Sequence, residues 1–224
     1  MSDPNVAFYG FTAVPRGPEV LLKGHPTASG EHPKQDLWTV TDFPLPDSLL
    51  ANKVREFATM ELDTQTLNHS FRVYVYGAAL VKTHFPAWTY DAETYYLACM
   101  LHDIGTAERF LATTKMSFDG NITQIGQALQ LATILGMHAH PIFFPRFHNV
   151  GIRANLVHPQ LIATTTAAYP RNGWSEHFAC VVEKELALKP WCHTSTFETP
   201  GWAPGAVSKF AADVRGNDVM RAFD

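Results

Sequence analysis

Two short segments of the sequence carry side chains that bind metal ions. His69 follows Leu-Asn, and His102 and Asp103 are adjacent, followed by Ile-Gly. A His-Asp pair at a helix end can offer a nitrogen and an oxygen to one cation, and a histidine from an antiparallel helix can add a third ligand. Three such ligands leave positions open for water, which the metal makes acidic. Asp103 is also the candidate catalytic group, because its carboxylate could accept a proton from that water.

A structural role is the competing interpretation of the same residues. A lone histidine on a mostly apolar helix is more often a hydrogen-bonded core residue than a ligand, and His-Asp pairs also occur by chance. The combination of His69 with a later His-Asp-Ile-Gly favours a metal site. The chain has eleven histidines but three scattered cysteines, so we expect imidazole and carboxylate ligands, and the scattered cysteines favour a reducing, intracellular setting.

Helices are predicted to position these residues, since apolar residues recur at three- and four-residue intervals. His69 falls on a helix predicted over 65–85, which Pro86 ends, and the His-Asp pair closes a helix predicted over 91–103. The first helix is expected to begin after Asp47 or Ser48 as N-cap. Four more helices are predicted, over 121–135, 159–168, 175–187 and 207–215.

The first part of the chain differs in composition from the rest. Residues 1–47 are rich in proline and glycine, which predicts an extended arm. No strand-like alternation of useful length follows it. We therefore expect an all-α fold, with a Pro-rich N-terminal arm over 1–47 and one helical domain over 48–224.

Composition argues against several classes of function. Hydrophobic residues make up 46% of the 224 residues, which is enough for a sizeable core. The net charge of -4 argues against a nucleic-acid partner. A spanning apolar segment and a secretory signal are both missing from the sequence, so we expect a cytoplasmic location, with the nucleus as a further option, and no membrane partner. Homo-oligomerisation is left open.

Beyond the chemistry of single residues, the sequence resembles a known family. His69 together with residues 101–104 resembles the first part of the pattern of HD-domain metal-dependent hydrolases. Further segments are similar to a narrower branch, the fungal cyanamide hydratases. These segments are 9–11 (YGF), 14–16 (VPR), 67–70 (LNHS), 72–73 (RV), 85–88 (FPAW), 114–118 (TKMSF), 189–191 (KPW) and 193–195 (HTS).

The resemblance implies a fold, a cofactor and a reaction. It implies an all-helical HD domain that binds zinc, or Fe²⁺ or Mn²⁺ in its place, and hydrates the small molecule cyanamide to urea through a metal-bound hydroxide. It also implies that His69, His102 and Asp103 are the metal ligands. The candidates for the wall of the substrate pocket are Lys115, Trp191 and His193.

The sequence departs from the family pattern in two places. The family closes its metal site with an aspartate near the end of a later helix, but Gly136 stands at that position here. Residues 136–148 look inserted, and His148 at their end is a candidate substitute ligand because imidazole binds zinc well. A helical stretch of the family is also missing after Phe118. Either a mis-spliced gene model or a catalytically impaired paralogue would explain both departures.

Two other functions stay open on the sequence. An HD-domain phosphohydrolase needs basic residues that hold a phosphate, and the nearest ones after the His-Asp pair are Arg109 and Lys115. That scarcity favours a small neutral substrate. A folded remnant with an incomplete metal site is the second alternative, and it would purify with little zinc.

The remaining aromatic and thiol side chains are assigned structural roles. Trp88, Trp174, Trp191 and Trp202 are interpreted as core or rim aromatics rather than as residues that stack on a substrate. The thiols at positions 99 and 180 lie on apolar helix faces, and both are expected to be buried and inert.

Overall fold

The computed structural model describes residues 37–87, 89–111, 157–191, 193–216, 220 and 222–223. Within these residues the secondary structure is helical and no β-strand forms, which confirms the predicted all-α class. No helix in these ranges is long and apolar enough to cross a membrane. The described part contains seven α-helices: α1 (Leu49–Glu61), α2 (Thr64–His84), α3 (Ala92–Leu101), α4 (Glu108–Leu111), α5 (Pro159–Ala168), α6 (Trp174–Leu188) and α7 (Lys209–Arg215).

Short polar side chains begin most of these helices. Ser48, Asp63, Asp91 and Ser208 each accept a hydrogen bond from the backbone N–H three residues later, at 2.7–3.0 Å. Such caps satisfy one of the N–H groups that a helix N-terminus leaves without an intrahelical partner. Ser48, and not Asp47, is therefore the cap of α1.

Helix α2 is the central element and contacts α1, α3, α5 and α6. Every residue from Phe71 to Leu80 is buried, so this stretch is enclosed on all sides. Gly77 permits the closest approach, because a Cβ built there would lie 1.7 Å from the Tyr95 hydroxyl oxygen of α3. The hydroxyl passes over Gly77 to donate to the Val73 carbonyl at 3.1 Å. The close contact between α2 and α3 thus depends on glycine at position 77, which has no side chain.

Two hydrophobic clusters make up the core. The first cluster packs α2 against α1, α3 and α5 and includes Phe71, Val75, Met100 and Leu161. The second cluster lies between α6 and α7 and consists of Trp174, Phe178, Ala179, Val182, Leu186, Ala211 and Val214. Helix α6 also packs against α2, so the clusters meet where these two helices touch.

The structure corrects three details of the sequence interpretation. Helix α3 ends at Leu101 and not at Asp103, because the Asp103 carbonyl accepts both the N–H and the hydroxyl of Thr106 and starts a 3-10 turn. Helix α7 begins at Lys209, after its serine cap. Cys180 is exposed, not buried.

One further expectation is confirmed, and several others lie outside the described residues or stay untested. Cys99 is buried as expected, and desolvation raises the pKa of its thiol to about 12. The predicted helix over 121–135, the apparent insertion at 136–148 and most of the arm lie outside the described residues. The boundary proposed at residue 47 stays a prediction, although the described end of the arm contacts α5 through a hydrogen bond from the Val40 N–H to Thr164 Oγ1 at 3.2 Å.

Candidate metal centre

The three predicted metal ligands meet between α2 and the end of α3. His69 lies on α2 and is 5% exposed, and Asp103 is 8% exposed. The Asp103 Oδ2 atom lies 2.9 Å from His102 Nε2 and 3.5 Å from His69 Nε2. One donor atom from each of the three residues falls within 4.8 Å of the others. Because α3 ends before His102, the following turn brings His102 and Asp103 together towards His69.

The distances from Asp103 Oδ2 to the Nε2 atoms of His69 and His102 suit a single first-row metal ion. Ligand bonds of about 2.0–2.2 Å at near-tetrahedral angles place two donor atoms about 3.3–3.6 Å apart. The separation of His69 Nε2 from Asp103 Oδ2 lies in this range, and that of His102 Nε2 from Asp103 Oδ2 is somewhat shorter. Two imidazole nitrogens and one carboxylate oxygen form a donor set typical of catalytic zinc. The residues present therefore fit the metal that the sequence implies.

A hydrogen bond to the backbone fixes the orientation of His102. Its Nδ1 lies 2.6 Å from the Cys99 carbonyl oxygen, which can only accept, so Nδ1 carries the proton. In a neutral ring Nε2 is then an acceptor that faces Asp103 Oδ2, another acceptor. Two acceptors at this distance attract only if a proton or a cation lies between them. Histidines that bind metals typically donate their other ring N–H to a carbonyl or carboxylate, as His102 does to Cys99.

An aromatic stack holds the ring of His69. The indole of Trp174 lies parallel to the imidazole, with ring centroids 4.0 Å apart and an interplanar angle of 19°. Phe178 continues the stack on Trp174, at 4.8 Å and 15°. Trp174 is 2% exposed, so it is a core residue as predicted, but sequence reasoning missed its contact with a candidate ligand. No sequence signal joins two residues so far apart in the chain.

Two buried arginines bind groups on either side of the turn that leads to Trp174, and sequence reasoning missed both as parts of the site. The Arg72 Nη1 donates to the carbonyls of Tyr169 and Pro170, at 2.9 and 3.1 Å. The Arg171 Nη2 donates to Ser175 Oγ at 2.6 Å, and its guanidinium carbon lies 5.9 Å from the Trp174 ring centroid. One signal was available for Arg72: it is a charged residue within the most apolar run of a long helix, and such a position is usually buried.

The structure describes two of the other four predicted site residues, Trp191 and His193. Trp191 lies in the turn after α6 and is 66% exposed. His193 begins a 3-10 turn over His193–Phe197. Lys115 and His148 lie outside the described residues. The pocket role of the first three and the ligand role of His148 stay predictions.

An all-helical fold with a His from one helix beside a His-Asp pair from the next is the arrangement of the HD-domain class. The chain is 33% identical over 226 aligned positions to the cyanamide hydratases DDI2 and DDI3 of Saccharomyces cerevisiae, covering 84% of this chain and 91% of each relative. This chain therefore belongs to the cyanamide hydratase family, which confirms the resemblance seen in the sequence. No family model matches the sequence. The alignment of 226 positions is longer than the 84% of this chain that it covers, so it contains gaps opposite this chain. The stretch expected to be missing after Phe118 stays a prediction.

Proposed function

We propose that this protein is a zinc-dependent hydro-lyase that adds water to cyanamide and yields urea. The observation that carries the proposal is the convergence of His69, His102 and Asp103 to within 4.8 Å in a member of the cyanamide hydratase family. Fe²⁺ or Mn²⁺ would also bind these donor atoms, because two imidazole nitrogens with one carboxylate oxygen occur in non-haem iron sites as well as in catalytic zinc sites.

The reaction needs water, a metal and proton transfer, and no oxidant or reductant. Hydration forms one C–O bond at the nitrile carbon, converts C≡N to C=N and places a proton on the nitrile nitrogen; a further proton shift gives urea. When bound, a zinc ion supplies a Lewis acid and lowers the pKa of coordinated water. The Nε2 atoms of His69 and His102 would hold the ion. The Asp103 carboxylate would accept a proton from water and return it to the nitrile nitrogen.

The charges around the site support a small uncharged substrate. Arg72 and Arg171 donate to protein acceptors. The side chain of Arg109 is 69% exposed and pairs with Glu61 at 2.7 Å. A phosphate ester needs cations directed at its oxygens, and these three guanidiniums are engaged elsewhere. We therefore favour cyanamide over a phosphate ester.

The proposal does not depend on a closing ligand at position 136 or on His148. Catalytic zinc sites commonly have three protein ligands and keep a further position open for water or substrate. His69, His102 and Asp103 supply that number. A chain with glycine at position 136 can thus retain a catalytic site, in contrast to the impaired paralogue considered above.

A direct assay of urea tests this proposal. The purified chain, loaded with one equivalent of zinc, is expected to produce urea from cyanamide. Asp103→Asn should lower kcat/KM at least about 100-fold, because it removes the general base and also replaces a charged metal ligand with a neutral one. The matched control is Asp63→Asn, which alters another carboxylate paired with a histidine, His177, at 2.9 Å. This control should retain activity to within about threefold, because asparagine also caps helices well.

Three results would contradict the proposal in different ways. A folded, zinc-loaded chain that makes no urea would rule out the hydratase activity. Phosphate release from a nucleotide panel would instead support the phosphohydrolase alternative. A folded chain that binds no zinc when titrated would identify a remnant with an incomplete site.

A further inference from the structure

The turn that precedes α6 sets the position of Trp174. Asn172 and Gly173 both have positive φ values, 50° and 70°, and asparagine and glycine are the residues that adopt this region most readily. The two residues reverse the chain so that Trp174, the first residue of α6, lies against α2. Support for the segment just before this turn therefore also restricts the position of Trp174.

Side chains from α2 supply that support. Arg72 donates to the carbonyls of Tyr169 and Pro170, and Asn68 Nδ2 donates to the Pro170 carbonyl at 3.0 Å. Arg72 is 2% exposed. Hydrogen bonds from a charged group are stronger than neutral ones, so Arg72 contributes the larger part of this support.

The supporting residues and a candidate ligand lie on the same helix. Asn68 precedes His69 by one residue, and Arg72 follows it by three, which is one helical turn. Helix α2 therefore fixes the ligand and, through the turn at 169–173, also fixes the indole that lies against the ligand. The stack at 4.0 Å restricts rotation of the His69 ring, whose Nε2 must face Asp103.

We propose that Arg72 is a positioning residue for the metal centre: through the Tyr169 and Pro170 carbonyls it holds Trp174 against His69. This inference rests on the proposed metal site but not on the identity of the substrate. Residues that orient metal ligands typically change metal affinity 10- to 100-fold when they are altered. Arg72 does not contact the metal in this scheme and acts only through Trp174.

A double-mutant cycle on zinc affinity tests this coupling. Arg72→Met, Trp174→Leu and the double variant are titrated with zinc in competition with a chromophoric chelator. Each single variant should bind zinc about 10- to 100-fold more weakly than wild type. The double variant should be no weaker than the weaker single variant, because both changes remove the same restraint. Losses that multiply in the double variant would overturn the proposal.

Matched variants separate positioning from general destabilisation. Tyr74, also on α2, donates to the carbonyl of Pro44 at 3.0 Å. Pro44 belongs to the N-terminal arm and not to the turn before α6. Tyr74→Phe should lower Tm and leave zinc affinity unchanged. Arg72→Lys keeps the charge and one donor, so it should restore most of the affinity that Arg72→Met loses.

Two milder variants keep the test decisive if Arg72→Met does not fold. Asn68→Ala should weaken zinc binding about threefold, and Arg72→Lys should also fall below wild type. Wild-type affinity in both folded variants would overturn the proposal. Zinc affinity is measured without cyanamide. If the double-mutant cycle gives the expected result but the urea assay fails, the proposed reaction is contradicted and the positioning role of Arg72 is not.

Discussion

The two hydrophobic clusters are bordered by polar groups of different kinds. Around the first cluster, buried or half-buried polar side chains donate to main-chain carbonyls: Arg72, Tyr74, Tyr95 and His102 all do so. A backbone carbonyl does not change its charge with pH. These acceptors therefore hold the side chains in place under most conditions. These four hydrogen bonds thus have acceptors of constant charge, whereas Asp103 is a carboxylate within the candidate site itself.

Around the second cluster, polar side chains pair with carboxylates. Lys189 pairs with Glu185 at 3.0 Å, and Arg215 contacts Glu176 and Glu183 at 3.0 and 2.6 Å. The stability of such pairs depends on burial, pH and salt. The metal centre depends on both kinds of region. Its ligands lie on α2 and just after α3, two helices of the first cluster, and Trp174, which stacks on His69, belongs to the second cluster.

The buried ion pair should give the largest effect on folding. Lys189 and Glu185 are 7% and 8% exposed. Lys189→Met should lower the free energy of unfolding by about 3 kcal/mol or more, because it leaves a buried carboxylate without its cation. Thr194, which donates to Glu185 Oε2 at 2.6 Å, would compensate only in part. Denaturant unfolding at pH 7 measures the loss.

An exposed pair with the same spacing is the control for that substitution. Lys209 pairs with Asp213 four residues later on α7, whereas Lys189 pairs with Glu185 four residues earlier, and the side chains of Lys209 and Asp213 are about half exposed. Lys209→Met should cost less than about 0.5 kcal/mol. Equal losses for the two lysines would show that burial does not decide the strength of pairing around the second cluster.

Overpacking of the first cluster is expected to have the next largest effect. Gly77→Ala places a methyl group where the Tyr95 hydroxyl lies. We expect a net loss of about 1–3 kcal/mol in unfolding free energy, because displacement of the ring outweighs the higher helix propensity of alanine. Gly105→Ala, with open space around the added Cβ, should be near neutral. Unchanged stability of Gly77→Ala would mean that Tyr95 moves aside at little cost.

The arginine that ends α7 should have a smaller effect than Gly77, with a distinct pH dependence. Hydrogen bonds from Arg215 lower the pKa of Glu183 below its ordinary 4.5. This contribution is complete above pH 4.5 and is lost as the pH falls through the lowered pKa of the folded state. Arg215→Ala should therefore cost less than about 1 kcal/mol at pH 7 and almost nothing near pH 2. A loss that grows towards acid would contradict this assignment.

The helices were largely predictable because their signals are local. Helix α2 was predicted over 65–85 and runs over Thr64–His84, and α5 was predicted at its observed bounds. The end of α3 was not predictable, since it depends on hydrogen bonds that Asp103 makes in the turn. Periodicity also could not show that Cys180 is exposed, because the face of α6 that α7 covers is set by tertiary packing.

The candidate site likewise contains residues that the sequence could indicate and residues that it could not. The sequence pattern indicated His69, His102 and Asp103 because the family motif lies in two short segments. Trp174 and Arg72 escaped detection as parts of the site, since stacking and a hydrogen bond to a distant carbonyl depend on how the 169–173 turn meets α2. Motifs reveal the donor atoms, whereas the groups that orient them emerge only from the packed structure.

The most direct test of the metal centre is the effect of zinc on thermal unfolding. Metal at 100 times its dissociation constant should stabilise the folded chain by about 2.7 kcal/mol and raise its Tm by several degrees. His102→Ala should abolish that rise, whereas His177→Ala, which alters the histidine paired with Asp63 outside the site, should retain it. No rise in the wild-type chain, or an equal rise in both variants, would contradict a metal centre formed by His69, His102 and Asp103.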